Sequence, residues 1–328
     1  MFSRLVRDLQ ELEGYDVDSA RELLIREITD RNKNDIFNAY QLCLVGKDGN
    51  LSEDNVEVIG VGEPGRERKW VLTYTRANQQ NPQSAPEEVV LSVQGVLKST
   101  VILPPFKDTY QSSVRRVRYL KQGVTVTGLG TQQFDDAMNG ITYVMSIFAR
   151  SAEDGNILPS DGFNLGDNPS TLDVTNRYLT PVHERQPGDQ SLTLAKEIDP
   201  LSTLNRFISE GEYVYGEDNQ VLYFIKTNKE TYVPAKPSVF RAGDIVEVQL
   251  SFAMIKIKNG NFKLQTILRA IMLLDRSITQ KALLSMYRSK PRASASTPVS
   301  AKRRLVYERA LDDINIKRIA REKSMATD

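Results

Sequence analysis

The chain has 328 residues, of which 40% are hydrophobic and 26% are charged, and its formal net charge is +1 at neutral pH. No run approaches the roughly 20 apolar residues of a membrane span, and a single cysteine permits no internal disulfide. We therefore expect a globular intracellular protein of the nucleus or cytoplasm. The cysteine, Cys43, lies in an apolar run that favours a buried thiol. His183 is the only histidine, which excludes multi-histidine zinc sites, and its polar loop disfavours a Ser-His-Asp triad.

Positive charge is concentrated near one end of the chain. Between Arg288 and Lys323 eleven basic residues accompany four acidic ones, a net of +7, and the rest of the chain carries −6. The stretch RASASTPVS predicts a flexible linker, and the residues after it have the periodicity of a helix. We expect 290–328 to be a linker and basic helical tail that suits a polyanion. Its candidate nucleic-acid contacts are Lys302, Arg303, Arg304, Arg309 and Arg318.

At the N-terminus, residues 1–35 predict a helical hairpin. Apolar residues recur at helical spacing in two stretches, the second of which passes through Leu24 and Ile28. Asp16 or Asp18 precedes this second stripe, and either side chain is suited to cap the helix.

Residues 36–150 predict a first β block, because short strand-like runs alternate with turn signals. The runs are 36–45, 55–61, 69–76, 88–103, 114–127 and 141–149. Gly60 to Gly65 matches GxGxxG, but a strand pattern follows where a dinucleotide site needs a helix, so we expect a hairpin loop. Residues 151–200 are rich in Asp, Gly, Asn and Pro and predict a polar connecting loop. The acidic residues of that loop lack the spacing of a calcium site.

Residues 201–289 predict a second β block built around a long hairpin. A three-residue loop, Lys258-Asn259-Gly260 with Gly260 in the left-handed region, gives the hairpin one dry face. That register predicts the pairs Met254–Leu264, Leu250–Leu268, Gln249–Arg269 and Val246–Met272. On the other face the apolar residues Ile267, Ile271 and Leu273 stand among polar ones, which indicates partial cover by another element. Ser277 to Ser289 predicts a helix.

Two stretches of this block, EYVYGEDNQVLYF and FRAGDIVEVQLSFAMIKIKNGNFKLQTILRAIMLLD, resemble a family of uncharacterised proteins in mushroom-forming fungi. The shared features are an acidic EDN turn, a GDIVE strand and a hairpin that ends in LR, four apolar residues and LD. The resemblance covers roughly residues 195–280 and implies a fungal intracellular protein. The family has no known activity, so the resemblance assigns no functional residue.

Basic residues interleave with an aromatic residue in the first β block. Arg115, Arg116 and Arg118 stand beside Tyr119 in a strand-like run. Arginines next to an aromatic ring suit a phosphate backbone and a stacked base, although a solvated strand face has the same pattern. Lys263 and Arg269, on the polar face of the hairpin, are further candidates.

Together these patterns predict an α+β, β-rich protein of antiparallel sandwich or barrel-like sheets, with an N-terminal helical hairpin and a C-terminal basic helix. We expect a non-enzymatic nucleic-acid-binding protein with an OB-like or sandwich surface and no cofactor. A self-assembling structural protein that uses its terminal helices to form a homo-oligomer is the alternative. A metal-dependent enzyme with a carboxylate site comes third, because the residues that most catalytic sites need are nearly absent. Two-metal chemistry would need carboxylates such as Asp135 and Asp136 to be brought together with others in space.

Overall fold

The computed structural model describes residues 8–33, 40–47, 51, 53–61, 69–75, 86–100, 103–106, 114–152, 157–158, 163–164, 169–185, 190–227, 231–257 and 260–289. The chain divides into two compact units, Met1–Tyr287 and Arg288–Asp328. Almost all of the second unit lies outside the described residues, and with it the linker and tail expected over 290–328.

Helices and strands are labelled here in chain order. The helices are α1 (Val17–Lys33), α2 (Val114–Val117), α3 (Gln132–Ser151), α4 (Thr203–Ser209) and α5 (Ser277–Ser289). The strands are β1 (Tyr40–Gln41), β2 (Val56–Val61), β3 (Lys69–Tyr74), β4 (Leu91–Ser99), β5 (Lys121–Thr127), β6 (Ile157–Leu158), β7 (Phe163–Asn164), β8 (Thr171–Arg177), β9 (Thr180–Pro181), β10 (Tyr213–Val214), β11 (Leu222–Lys226), β12 (Tyr232–Pro234), β13 (Ile245–Lys256) and β14 (Phe262–Asp275). The protein is α+β and β-rich, as predicted.

Five of the strands close into a barrel. Antiparallel pairing links β5 to β4, β4 to β13 and β13 to β14, and also links β8 to β5. A parallel contact between Ile267 of β14 and Thr175 of β8 completes the ring. Numbered within the barrel, the strand order is 1-2-3-5-4-1 with strands three and five parallel, which is the order of the OB barrel. The sheet is therefore mixed, and strands from both predicted β blocks build one barrel.

The barrel interior and α3 share one hydrophobic core. Alternate residues of the barrel strands point inward, including Val93, Val126, Val174 and Phe252. α3 adds to this core the residues Phe134, Ala137, Met138, Ile141, Val144 and Phe148, which recur at helical spacing. Cys43 is buried in the same core, as predicted.

α1 covers the outer surface of β4, β13 and the second half of β14. Asp16 caps this helix by accepting hydrogen bonds from the backbone N–H of Ser19 (3.0 Å) and from its hydroxyl (2.7 Å), which confirms one of the two caps considered. The stripe of α1, Ala20, Leu24 and Ile28, packs on Val96, Ile245, Met272, Leu274 and Ile278. The predicted first helix of the N-terminal hairpin is a single 3₁₀ turn, Leu9–Glu11, in the part that is described.

The hairpin register follows the prediction only near its turn. Leu250 pairs with Leu268 and Met254 with Leu264, and Gly260 has a φ of 74°, all as expected. Beyond Leu268 a β-bulge skips Arg269, so the expected pairs Gln249–Arg269 and Val246–Met272 are wrong. Gln249 lies opposite Ala270 and Val246 opposite Leu273.

The bulge explains two of the three apolar residues that the expected register placed on the polar face. An extra residue moves every later side chain to the opposite face of the strand. Ile271 and Leu273 therefore turn into the barrel core, and Met272 turns out towards α1.

Three other local predictions are corrected by the structure. The run 141–149 belongs to helix α3, because its apolar spacing continues that of 134–138. The strand expected over 114–127 begins only at Lys121, and the turn before it is the short helix α2. The segment 151–200, expected as a loop, contains the barrel strand β8. The helix predicted over Ser277 to Ser289 is confirmed as α5.

A smaller core lies beside the barrel. Its buried members are Val117, Tyr178, Leu179, Leu194, Ile198, Leu204, Phe207, Tyr213 and Tyr215. This second core anchors α2 through Val117 and the segment after β8 through Tyr178 and Leu179. Two segments that are distant in sequence are thereby held at the same end of the β5–β8 pair.

Candidate nucleic-acid interface

The outer face of β5 and β8 carries polar side chains that remain at least partly exposed. Lys121 lies opposite Arg177, and Thr125 lies opposite Asp173. Their neighbours along the strands, such as Val124 and Val174, point into the barrel core. We call Lys121, Thr125, Asp173, Thr175 and Arg177 the open face. It is basic at the Lys121–Arg177 end and acidic in the middle, where Asp173 lies.

The segment from α2 to β5 places further cations and one aromatic ring at this basic end. Val117 is completely buried, and Arg116 and Arg118 on either side of it are exposed. Tyr119 is 68% exposed, which is unusual for a large aromatic side chain. The Arg118 Cζ atom lies 5.3 Å from the centroid of the Tyr119 ring, which is cation–π geometry.

Glu184 joins α2 to the end of β8. The Arg177 Nη1 atom donates to Glu184 Oε2 at 2.7 Å, and the Arg118 Nη2 atom donates to Glu184 Oε1 at 3.3 Å. Glu184 lies on a 3₁₀ turn, Val182–Glu184, with the exposed His183 beside it. Both pairs are partly exposed, so solvent screens the attraction between their charges and another anion can compete for the two arginines.

Arg269, the bulged residue of β14, is engaged within the protein. Its Nε donates to the Ser251 hydroxyl at 2.9 Å, and its Nη2 lies 2.7 Å from Glu88 Oε2. Its Nη1 donates to the backbone carbonyl of Asp218 at 3.0 Å. Burial opposes ionisation of Asp218, but Lys69, Arg269 and Arg177 outweigh it and hold the pKa of that carboxyl below its usual value.

Of the remaining sequence candidates, Lys263 lies away from this end. Lys263 pairs with Leu158 in β6, and the parallel register of β14 and β8 places it towards the Thr171 end. The backbone of Arg115 is part of α2. Lys302, Arg303, Arg304, Arg309 and Arg318 lie outside the described residues.

A buried polar network underlies the basic end. The Gln122 side chain donates to the Asn219 carbonyl at 3.1 Å and accepts from the Tyr223 hydroxyl at 3.0 Å. Asn176 donates to the carbonyls of Asp218 (2.8 Å) and Leu268 (3.2 Å). These bonds tie β5, β8 and β14 to the EDN turn, and a satisfied buried network of this kind rigidifies its surroundings. The turn Glu217–Asn219 is therefore hydrogen-bonded to the barrel end beneath the open face.

Lys121, Arg177 and Glu184 were not among the residues singled out from the sequence. Lys121 stands two residues after Tyr119 in the same strand-like run, but it was not chosen as a contact. Arg177 and Glu184 carry no local signal, because their relation to Arg118 depends on the pairing of β5 with β8.

The described residues contain neither a group of side chains suited to a metal ion nor a helix suited to a membrane. No group of three or more His, Cys, Asp or Glu side chains among them is placed to hold a metal ion. In the same part of the chain, no helix has the length and apolar character needed to cross a membrane.

No protein-family model matches the chain, and no curated protein matches it. Among solved structures, the chain is similar to gp2.5, a single-stranded DNA-binding protein encoded by bacteriophage T7. The two are 11% identical, the TM-score is 0.30, and the likeness covers 64% of this chain and 98% of that one. A TM-score of this size carries no information about function.

Proposed function

We propose that the protein is a non-enzymatic nucleic-acid-binding protein that holds a single strand across the open face. The observation that carries the proposal is the meeting of Tyr119, Arg116, Arg118, Lys121 and Arg177 at one end of barrel strands two and three. By analogy of fold, barrels of this strand order bind oligonucleotides or oligosaccharides across those strands and the adjoining loops. Of these two ligands, the oligonucleotide is anionic, and the positive charge at this end of the barrel favours it.

The chemistry of the basic end suits an unpaired strand. One face of the Tyr119 ring is covered by Arg118, and the ring as a whole is 68% exposed, so a base can stack on it. Duplex bases are already stacked on each other and offer no free face. Arg116 and Lys121 flank the ring in sequence and are exposed, where they can contact phosphates.

The basic tail is a second part of the same proposal. Its cations Lys302, Arg303 and Arg304 would add phosphate contacts without base readout, because Lys and Arg neutralise the phosphate backbone of any sequence. The contributions of the barrel and of the tail to binding can be measured separately. Each phosphate contact that a variant removes changes the slope of log K against log salt, to which one contact contributes about −0.7 on a single strand.

The test is fluorescence anisotropy with a labelled 20-nucleotide oligothymidine and a 20-base-pair duplex in low salt. Tyr119→Ala should weaken single-strand binding by about 1–3 kcal/mol, the usual contribution of a stacked base. Arg116→Ala with Lys121→Ala should flatten the salt slope by about 1.4. Lys302→Ala, Arg303→Ala and Arg304→Ala together should flatten it by about 2 with little change in the single-strand preference.

Matched controls lie on the other side of the barrel. Tyr287 on α5 is 59% exposed, and Arg26 on α1 is exposed. Tyr287→Ala and Arg26→Ala should leave the affinity within about twofold, since substitutions outside an interface change little. Equal losses in Tyr119→Ala and Tyr287→Ala, or no binding by the intact protein, would overturn the proposal.

A further inference from the structure

Glu184 is bound by guanidinium groups from two separate parts of the chain. Arg177 ends β8 and Arg118 follows α2, yet each contacts a different oxygen of the same carboxylate, at 2.7 Å and 3.3 Å. A phosphodiester presents two non-bridging oxygens to guanidinium donors in the same manner. The pair of arginines is therefore already spaced for an anion with two acceptor oxygens.

From this geometry we infer that Arg118 and Arg177 form a subsite for one phosphate group, and that Glu184 occupies it in the free protein. The inference rests on the proposed function, which it deepens by naming the ligand group and its competitor. Binding exchanges one singly charged anion for another, so no covalent bond changes and the charge of the subsite stays the same.

The surroundings of Glu184 allow the exchange. Its side chain is 29% exposed and lies on a surface turn, next to Val182 and His183, which are 43% and 71% exposed. The backbone of that turn is anchored, because Pro181 pairs with Tyr213 and the Val182 N–H donates to the Glu212 carbonyl at 3.0 Å. Because the turn is held in this way, the exchange requires rotation of the Glu184 side chain and not movement of the backbone.

The subsite lies one residue from the stacking ring. Arg118 contacts Glu184 and also lies over the ring of Tyr119, so a phosphate that replaces the carboxylate would be next to a base stacked on the tyrosine. Base and phosphate together make one nucleotide unit. Glu184 then sets the affinity of the site, because a strand must displace a bound carboxylate before its phosphate can enter.

The first test replaces Glu184 with the uncharged Gln. Glu184→Gln should bind labelled oligothymidine about threefold to tenfold more tightly than wild type in low salt, because the repulsive carboxylate is gone. Its slope of log K against log salt should be steeper by about 0.7. The matched control is Asp18→Asn on α1, which also removes one carboxylate from an arginine at 2.9 Å. Glu184→Gln binding no tighter than Asp18→Asn would overturn the inference.

The second test observes the subsite without an oligonucleotide. The Nε–H resonances of Arg118 and Arg177 are assigned in ¹⁵N-labelled protein with the variants Arg118→Lys and Arg177→Lys. In Glu184→Gln they should shift on addition of dimethyl phosphate, and in wild type they should shift less. Resonances that stay fixed in Glu184→Gln would overturn the subsite even if the protein binds oligothymidine. Shifting resonances in a protein that binds no oligothymidine would uphold the subsite and overturn the proposed function alone.

Discussion

The two outer faces of the barrel differ in whether their charged side chains are buried or exposed. The face formed by β4, β13 and the second half of β14, which we call the closed face, lies under α1 and buries Glu247, which is 3% exposed. The open face on β5 and β8 leaves Lys121 exposed and Arg177 partly exposed. The same barrel thus has one face that α1 covers and one on which, among the described residues, Arg177 pairs with the partly exposed Glu184.

The closed face satisfies its charges internally. Arg31 of α1 places Nε 2.9 Å from one Glu247 oxygen and donates from Nη2 to the other at 3.2 Å, and Gln94 donates to Glu247 at 2.8 Å. Beside them Lys226 donates to Glu27 at 2.6 Å. Burial raises the pKa of the Glu247 carboxyl, although Arg31 and Gln94 favour its ionised form. Removing the partner of a buried charge lowers the stability of the fold strongly, whereas removing the partner of an exposed charge changes it little.

The largest expected effect comes from breaking the buried pair. Glu247→Ala should lower the free energy of unfolding by about 3–5 kcal/mol, because it leaves the Arg31 guanidinium buried without a counter-charge. Urea unfolding followed by circular dichroism measures the change. The matched exposed pair on the same helix is Asp18 with Arg21, and Asp18→Ala should cost less than about 1 kcal/mol.

A double variant sharpens this prediction. Replacing both partners, Glu247→Leu with Arg31→Met, should recover most of the lost stability, since buried ion pairs are often replaceable by apolar residues of similar volume. If Glu247→Ala costs no more than Asp18→Ala, the two faces do not differ in the way described.

The next largest effect is a pH dependence of stability caused by Asp244, at the edge of the closed face. Asp244 is 1% exposed and accepts a hydrogen bond from the Arg241 backbone N–H at 2.9 Å. Burial raises the pKa of its carboxyl to about 6. Because the folded state then holds the proton more tightly than the unfolded state, this group stabilises the fold below about pH 4. The contribution is lost as pH rises through about 6.

Asp244→Asn removes that dependence while keeping a side-chain oxygen to accept from Arg241. Between pH 4 and pH 7 the wild type should lose up to about 3 kcal/mol of unfolding free energy relative to the variant, which follows from a pKa difference of about two units. Unfolding curves of both proteins at half-unit pH steps measure the difference. Parallel stability curves for the two proteins would contradict the raised pKa.

The smallest effect is expected on the open face. Thr125→Ala should change the free energy of unfolding by no more than about 0.5 kcal/mol, since the side chain is partly exposed and points away from the core. Its neighbour in the same strand, Val126, is completely buried, and Val126→Ala should cost about 2 kcal/mol. Thermal unfolding of the two variants side by side measures the contrast, and equal costs would show that the face is not open.

Local patterns alone predicted the elements whose residues interact with near neighbours. The hairpin turn and the pairs closest to it follow from alternation and from the left-handed conformation at Gly260, both of which act within a few residues. The cap of α1 and the bounds of α5 are equally local. The helical spacing from Phe134 onward was also visible, but the β-branched residues around Val144 suggested a strand when read in a shorter window.

Only the tertiary structure decided where the barrel closes and which side chains lie together at its basic end. The bulge at Arg269 changes the register at the point where β14 passes from pairing with β8 to pairing with β11. Strand β8 was hidden in a polar segment, since a strand with one exposed face needs few apolar residues. The convergence of Arg118, Arg177 and Glu184 depends on pairing across more than fifty residues. No local pattern encodes such a contact, because it is set by the packing of the whole core.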